Sequence, residues 1–195
     1  MSGTTRAQFL ARGAKGGMAL VAGGLVLGVA EGTALGAISS DADIAKLAAT
    51  AELLAIDFYS NAIASNQLKG DELAYLAGAK SNEVAHYNAL KGVLKSATPA
   101  GLKFTYPKGS FASRKSIGML GEALETAFVG AYMGAVTALQ SNALKGVAAE
   151  IGACESRHLS VLTNIAANTI VVAPDLPKVL TAAQATAAVH PFVKM

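Results

Sequence analysis

"NEVAHYNAL" at residues 82–90 and "CESRHLSVL" at residues 154–162 each place a His three residues after a Glu, in a chain with only three histidines. Three residues make nearly one helical turn, so in each stretch the two side chains project from the same side of a helix and can reach one shared ion. A single match of this kind is weak, because polar pairs at helical spacing are mostly solvated faces. Two matches direct attention to the rest of the chain for partners.

Those partners depend on where the helices lie. From Ser39 the apolar residues recur at spacings of three and four. Ser40, with Asp43 three residues later, resembles a capping box and opens a helix A that runs to about Asn66. Gly70 marks a break and Asp71 the next cap, giving a helix B from about Asp71 to Lys95, with a link short enough to make A and B antiparallel. "SATPAGLKFTYPKGSFASRK" then supplies about twenty non-helical residues with two prolines and two glycines. Extended, that length spans about 65 Å, while a 25-residue helix is near 40 Å long, so the segment can run the length of a bundle and leave B and C parallel. Helix C is expected over about Ser113 to Asn142, Gly146 marks the following break, and helix D continues to about Asn168. Pro174 and Pro177 interrupt the pattern, and "TAAQATAAVHPFVKM" forms a short closing helix. "SNQLKG" at 65–70 returns as "SNALKG" at 141–146, which suggests two copies of one helical hairpin.

On this frame helix A carries "ELLAIDFY", with Glu52 seven residues before Tyr59, and helix C carries "ETAFVGAY", with Glu125 seven before Tyr132. Seven residues return a helix almost to the same angle, so each Glu shares a face with its Tyr. Glu52 precedes Glu83 by 31 residues and Glu125 precedes Glu155 by 30, so the halves align almost in register. A carboxylate dimetal site needs anionic oxygens that bridge two cations and imidazoles that complete each coordination shell. The candidate ligands are Glu52, then Glu83 and His86, then Glu125, then Glu155 and His158, in the order single, pair, single, pair.

With "AELLAIDFYSNAI", "NEVAHYNAL", "LKFTYPKGSF", "LETAFVGAYMGAV", "ESRHLSVL" and "AVHPFV", the chain from about residue 40 to 195 resembles the ferritin-like superfamily. In particular it is similar to the exported ferritin-like domain proteins of bacteria, related to the plant desiccation-related proteins. The resemblance implies an all-α fold: a left-handed four-helix bundle with one long crossover between B and C, plus a short C-terminal helix. It also implies two metal ions, iron or manganese, at the bundle centre. Tyr59 and Tyr132 are candidate neighbours of that centre, with simple core packing as the alternative role.

Other polar residues are expected to lie elsewhere. Glu122 competes with Glu125, but only Glu125 keeps the seven-residue relation to Tyr132. Glu72 reads as a solvated first-turn acid, Glu150 as pointing away, Asp57 and Tyr87 as peripheral, His190 as structural, and Cys154 as a small buried side chain.

The ends and the composition add context. The stretch "TTRAQFLARGAKGGMALVAGGLVLGVAEGTALGA" has Arg6, Arg12 and Lys15, then no charge from Gly16 to Ala30, then small residues. This is the make-up of an export signal, with residues 1–37 as signal or anchor and 38–195 as the bundle domain, placing the protein in the periplasm or cell envelope. "TTRAQFL" resembles a twin-arginine signal whose second arginine is Ala7. Cleavage after Ala30 or Ala37 and retention as a membrane anchor both remain open. Net charge is +3, but the lysines are scattered singly, so nucleic acid is not an expected partner. Two functions follow from the pattern: a dimetal oxidoreductase, a ferroxidase or a peroxidase or catalase-like enzyme, acting on dioxygen or peroxide; or a non-enzymatic stress-protection module, self-associating, whose metal is structural or absent. A membrane-spanning bundle is disfavoured by the acids and histidine on interior faces.

Overall fold

Ser40 opens the first helix as expected. Its side chain accepts from the Asp43 backbone N–H at 3.1 Å and donates to the Asp43 carboxylate at 2.6 Å, giving α1 over Asp41–Ala64. The computed structural model describes residues 21–22, 25–26, 40–172 and 177–194. Apart from Val21–Ala22 and Leu25–Val26, which pair as a minimal antiparallel ladder, the export segment expected over 1–37 lies outside the described residues, as does Pro174.

The second helix, α2, spans Gly70–Leu94. Its cap position falls on Lys69, while Asp71 lies inside the first turn, because Gly70 takes a positive φ of 55° and turns the chain into the helix before Asp71 is reached. After a 3-10 turn at Lys95–Ala97 the crossover runs without helix to Ser113, turning at residues 108–111, and the capping box of Ser113 with Ser116 starts α3, Arg114–Ala138.

The next break differs from the expectation. It falls at residues 139–141, Ser141 caps α4 over Asn142–Ala167, and Gly146 is an interior residue of that helix. The cause is distant in sequence: the Asp41 carboxylate accepts from the backbone N–H groups of Gln140 at 2.8 Å and Ser141 at 2.9 Å, fixing the turn ahead of Gly146. The repeated hexapeptides therefore have different structures. In the first, Asn66 has a positive φ of 57° and continues a loop; in the second, Asn142 is already helical.

Asp41 also joins the start of α1 to the end of α3, so these two helices are antiparallel. Arg114, at the start of α3, is held by Glu72, at the start of α2, and donates to the Ile165 carbonyl at 2.9 Å near the end of α4. Hence α2 and α3 are parallel, and the crossover spans the bundle as its length required. Helices pack closely within the α1–α2 and α3–α4 hairpins and approach one another sparsely between them. Gly118 and Gly121 allow the close α3–α4 approach, since a Cβ at Gly118 would sit 2.5 Å from the Ala166 backbone nitrogen.

Two apolar clusters fill the interior. One includes Leu54, Phe58, Leu76, Ile117, Leu124 and Leu162; the other includes Ile44, Leu90, Leu94, Leu139 and Ile151. The short helix α5, Ala182–Val189, starts at a Thr181–Gln184 capping box and leads to a 3-10 turn, His190–Phe192. Beyond it the chain pairs with the crossover: the Thr105 N–H donates to the Phe192 carbonyl and the Lys194 N–H to the Lys103 carbonyl, each at 2.8 Å. Among the described residues no helix is long and apolar enough to cross a membrane.

Candidate metal centre

Each of the four long helices delivers one glutamate to the space between the two apolar clusters. Glu52 from α1, Glu83 from α2, Glu125 from α3 and Glu155 from α4 are all buried, with 0–2% of their surface exposed. His158 is equally buried at 1%, and His86 keeps 13% of its side chain exposed. Four carboxylates removed from water at such close range are costly unless positive charge compensates them.

The donor atoms fall into two overlapping groups. Glu52, Glu83, His86 and Glu155 form one, and Glu83, Glu125, Glu155 and His158 form the other, with the chosen atoms of each group within 4.8 Å of one another. Glu83 and Glu155 belong to both. Glu83 directs Oε2 to His86 Nδ1 at 3.2 Å and Oε1 to His158 Nδ1 at 2.8 Å. Glu155 directs Oε1 to His86 Nδ1 at 3.1 Å and Oε2 to His158 Nδ1 at 3.0 Å. Glu52 lies 3.3 Å from His86 Nδ1, and Glu125 lies 3.9 Å from His158 Nδ1.

This geometry fits a pair of cations. The single Nδ1 of His86 faces oxygens from three helices at 3.1–3.3 Å, and one N–H cannot serve three acceptors. Separations of about 3 Å are those of neighbouring ligands around an ion with bonds of about 2.1 Å. One oxygen on each of the four glutamates, Glu52 Oε2, Glu83 Oε1, Glu125 Oε2 and Glu155 Oε1, is buried without a well-formed hydrogen bond. Four carboxylates also balance the charge of two divalent ions when both imidazoles are neutral.

The tyrosines contact the cluster, but crosswise. Tyr59 on α1 donates to Glu125 on α3 at 2.5 Å, and Tyr132 on α3 donates to Glu52 on α1. Equal spacings of seven on antiparallel helices bring each Tyr level with the other helix's Glu. Burial raises both phenols well above their ordinary range, and the neighbouring glutamates add to it, so they remain donors at neutral pH.

Protons are also held strongly here. Burial raises Glu52 and Glu125 well above the usual carboxylate range, and the charges of Glu155 and Glu83 reinforce the shift. Burial alone would raise Glu83 too, but hydrogen bonds with His158 and His86 outweigh it and hold Glu83 at about 2. Burial opposes the charged form of each histidine, yet hydrogen bonds to the glutamates raise His158 to about 9 and push His86 up as well. Protons thus supply the compensating positive charge that a cation would replace.

Three neighbours of His158 were not among the sequence candidates for this centre, although Cys154, four residues earlier on the same helix, had the spacing to reach it. Asn82 Nδ2 lies 3.1 Å from His158 Nε2, Cys154 Sγ lies 3.7 Å from the same nitrogen, and the Tyr75 ring meets the imidazole edge-on. A cation held by Nδ1 would leave the proton on Nε2, and Asn82 would accept from it with its amide turned over, Oδ1 in the place of Nδ2. Asn82 directly precedes Glu83, but contact with a different helix follows no spacing rule.

The remaining candidates stand apart. Glu122 is half-buried beside Thr163, Glu150 and His190 are exposed, Tyr87 donates to the Pro99 carbonyl, and Asp57 accepts from Tyr106 of the crossover at 2.8 Å. Glu72 is not simply solvated: it is about one-third exposed and pairs with Arg114, 2.6 Å from Oε1 to Nη2.

A comparison with protein families finds that the ferritin-like domain model matches residues 40–168. No curated protein matches the chain. The matched span takes in all four long helices and every residue of the Glu/His cluster, and the chain belongs to the ferritin-like domain family.

Proposed function

We propose that the chain is an exported protein whose Glu52, Glu83, His86, Glu125, Glu155 and His158 hold two metal ions, iron or manganese, and that its activity is Fe(II) oxidation or peroxide removal. The observation that carries this reading is the double reach of Glu83 and Glu155, each with one oxygen at each histidine. Glu52 and Glu125 would each complete one side, and the crossed tyrosine hydroxyls orient them. A redox-active pair bound there would supply two electrons to dioxygen or peroxide.

The protein's own groups control access and protons. A cleft between α2 and α4 is bordered by Tyr75 and Asn82, both of which touch the buried His158, and the partly exposed His86 marks the side of the cluster nearer solvent. The apolar clusters on either side limit water elsewhere. Export rests on the basic, apolar and small-residue order of residues 1–37, which places the activity in the cell envelope.

Elemental analysis of the full chain purified without added metal, followed by stopped-flow absorbance on mixing the stripped protein with Fe(II) and peroxide, tests the reading. About two equivalents of metal and rapid Fe(II) oxidation are expected. No metal and no oxidation would reject it in favour of a structural module. Intact mass of the protein recovered from the envelope tests processing at Ala30 or Ala37.

A further inference from the structure

We infer that the apolar cavity between α1, α3 and the C-terminal segment is a binding site for one uncharged, mainly hydrocarbon molecule of about twelve non-hydrogen atoms. The cavity has a volume of about 300 Å³, with walls that include Ile44 and Ala48 of α1, Ala131 and Ala135 of α3, and Leu180 and Val189 of the C-terminal segment. Among the described residues no charged side chain lines it, and the side-chain polar groups on its walls are the hydroxyls of Tyr132, Thr137 and Thr181. All three are already engaged: Tyr132 with Glu52, Thr137 with the Gly134 carbonyl at 2.8 Å, and Thr181 with Gln184 at 3.2 Å. A charged ligand would lose its hydration and find no counter-charge, whereas a hydrocarbon chain loses none and a single hydroxyl at its end can stay at the open mouth.

Two of the walls are fixed to each other by backbone contacts between the C-terminal segment and α3. The Leu180 N–H donates to the Gly130 carbonyl at 2.9 Å, and the Leu180 carbonyl oxygen lies so close to Gly134 that a Cβ there would come within 1.8 Å of it. The Thr181–Gln184 capping box fixes the start of α5 beside them. The pocket is partly open to solvent, so a guest can enter it and bury most of its surface against the alkyl walls. An apolar cavity of about 150 Å³ stays dry and takes up benzene, and twice that volume sets the size limit given above. The Tyr132 ring lines the cavity while its hydroxyl reaches Glu52, so a guest would touch a side chain that also touches the carboxylate cluster.

Calorimetric titration of the full chain with 1-octanol tests the inference, in metal-free protein and again after Fe(II) addition. The site is independent of the metal reading, so saturable one-to-one binding is expected in both forms. Ala131→Phe, which fills the cavity, should weaken binding at least about tenfold at wild-type helix content. Ala48→Leu repeats the test from the opposite wall if Ala131→Phe fails to fold. Ala89→Phe, which adds the same apolar surface on the exposed face of α2, should leave binding unchanged. Absence of saturable binding to the wild type, or equal binding to a folded cavity-filled variant, would overturn the inference.

Discussion

Tyr59 of α1 holds Glu125 of α3 at 2.5 Å, while Glu52 of its own helix is held by Tyr132 of α3. Two phenols and two carboxylates thus tie the hairpins together across the middle of the bundle. Removing either hydroxyl leaves a buried carboxyl short of a partner. Tyr132→Phe and Tyr59→Phe are each expected to destabilise the metal-free protein by about 1–3 kcal/mol in urea unfolding. The reciprocal arrangement predicts similar losses, and a folded variant with unchanged stability would contradict it.

On the proposed two-ion reading, glutamates that reach both histidines and those that reach one should differ in their effect on stoichiometry. Glu83→Ala combined with Glu155→Ala is expected to abolish metal binding with helix content largely intact by circular dichroism. Glu52→Ala alone removes a group that serves only one side, so elemental analysis should show about one ion retained. Unchanged metal content in the double variant would reject the site.

Metal-free protein should lose stability in alkali. His158 has an ordinary pKa of 6.5 raised to about 9 in the fold, so its stabilisation is complete below about pH 6.5 and is lost as pH rises through about 9. His86, Glu52 and Glu125 are also raised and act with the same sign. Glu83, lowered to about 2, acts only in acid, losing its contribution as pH falls from about 4.5 toward 2. Thermal melts of stripped protein should therefore show a falling midpoint between pH 6.5 and 9. Metal binding displaces the protons, so loading should become tighter over the same range. A flat melt profile for stripped protein would contradict the assignment.

The glycines of α3 are expected to be intolerant of substitution where the C-terminal segment lies on them. Gly134→Ala would press a methyl group into the Leu180 carbonyl, costing about 1–3 kcal/mol in thermal unfolding, whereas Gly78→Ala, with nothing within 4 Å, should be neutral or stabilising.

The helices and each Glu–His pair were legible because both follow from spacing along one helix, and the near-equal separations of 31 and 30 residues between the glutamates of each hairpin pointed to one level in the bundle. Ser40 and Ser113 carried their caps in local residues and were readable for the same reason. The break before α4 was not, because Asp41 sets it from about a hundred residues away, and Gly146 is a glycine that the helix simply contains. The spacing of seven from Glu to Tyr showed a shared face but could not show which Glu each Tyr would meet. That required the antiparallel pairing of α1 with α3. Asn82 was illegible as a neighbour of His158 for the same physical reason, since contact across helices is a property of packing, whereas Cys154 stands four residues before His158 on α4 and could have been read from spacing.

The close packing within each hairpin and the sparse approach between them also bear on how the molecule assembles. Each hairpin joins sequence neighbours and can form quickly on its own, since short loops close at little entropic cost. Docking one hairpin on the other is the event that gathers Glu52, Glu83, Glu125 and Glu155 into one dry volume. Acidity, and divalent cations on the proposed reading of the cluster, are therefore expected to act on the docking of the hairpins more than on the formation of either one.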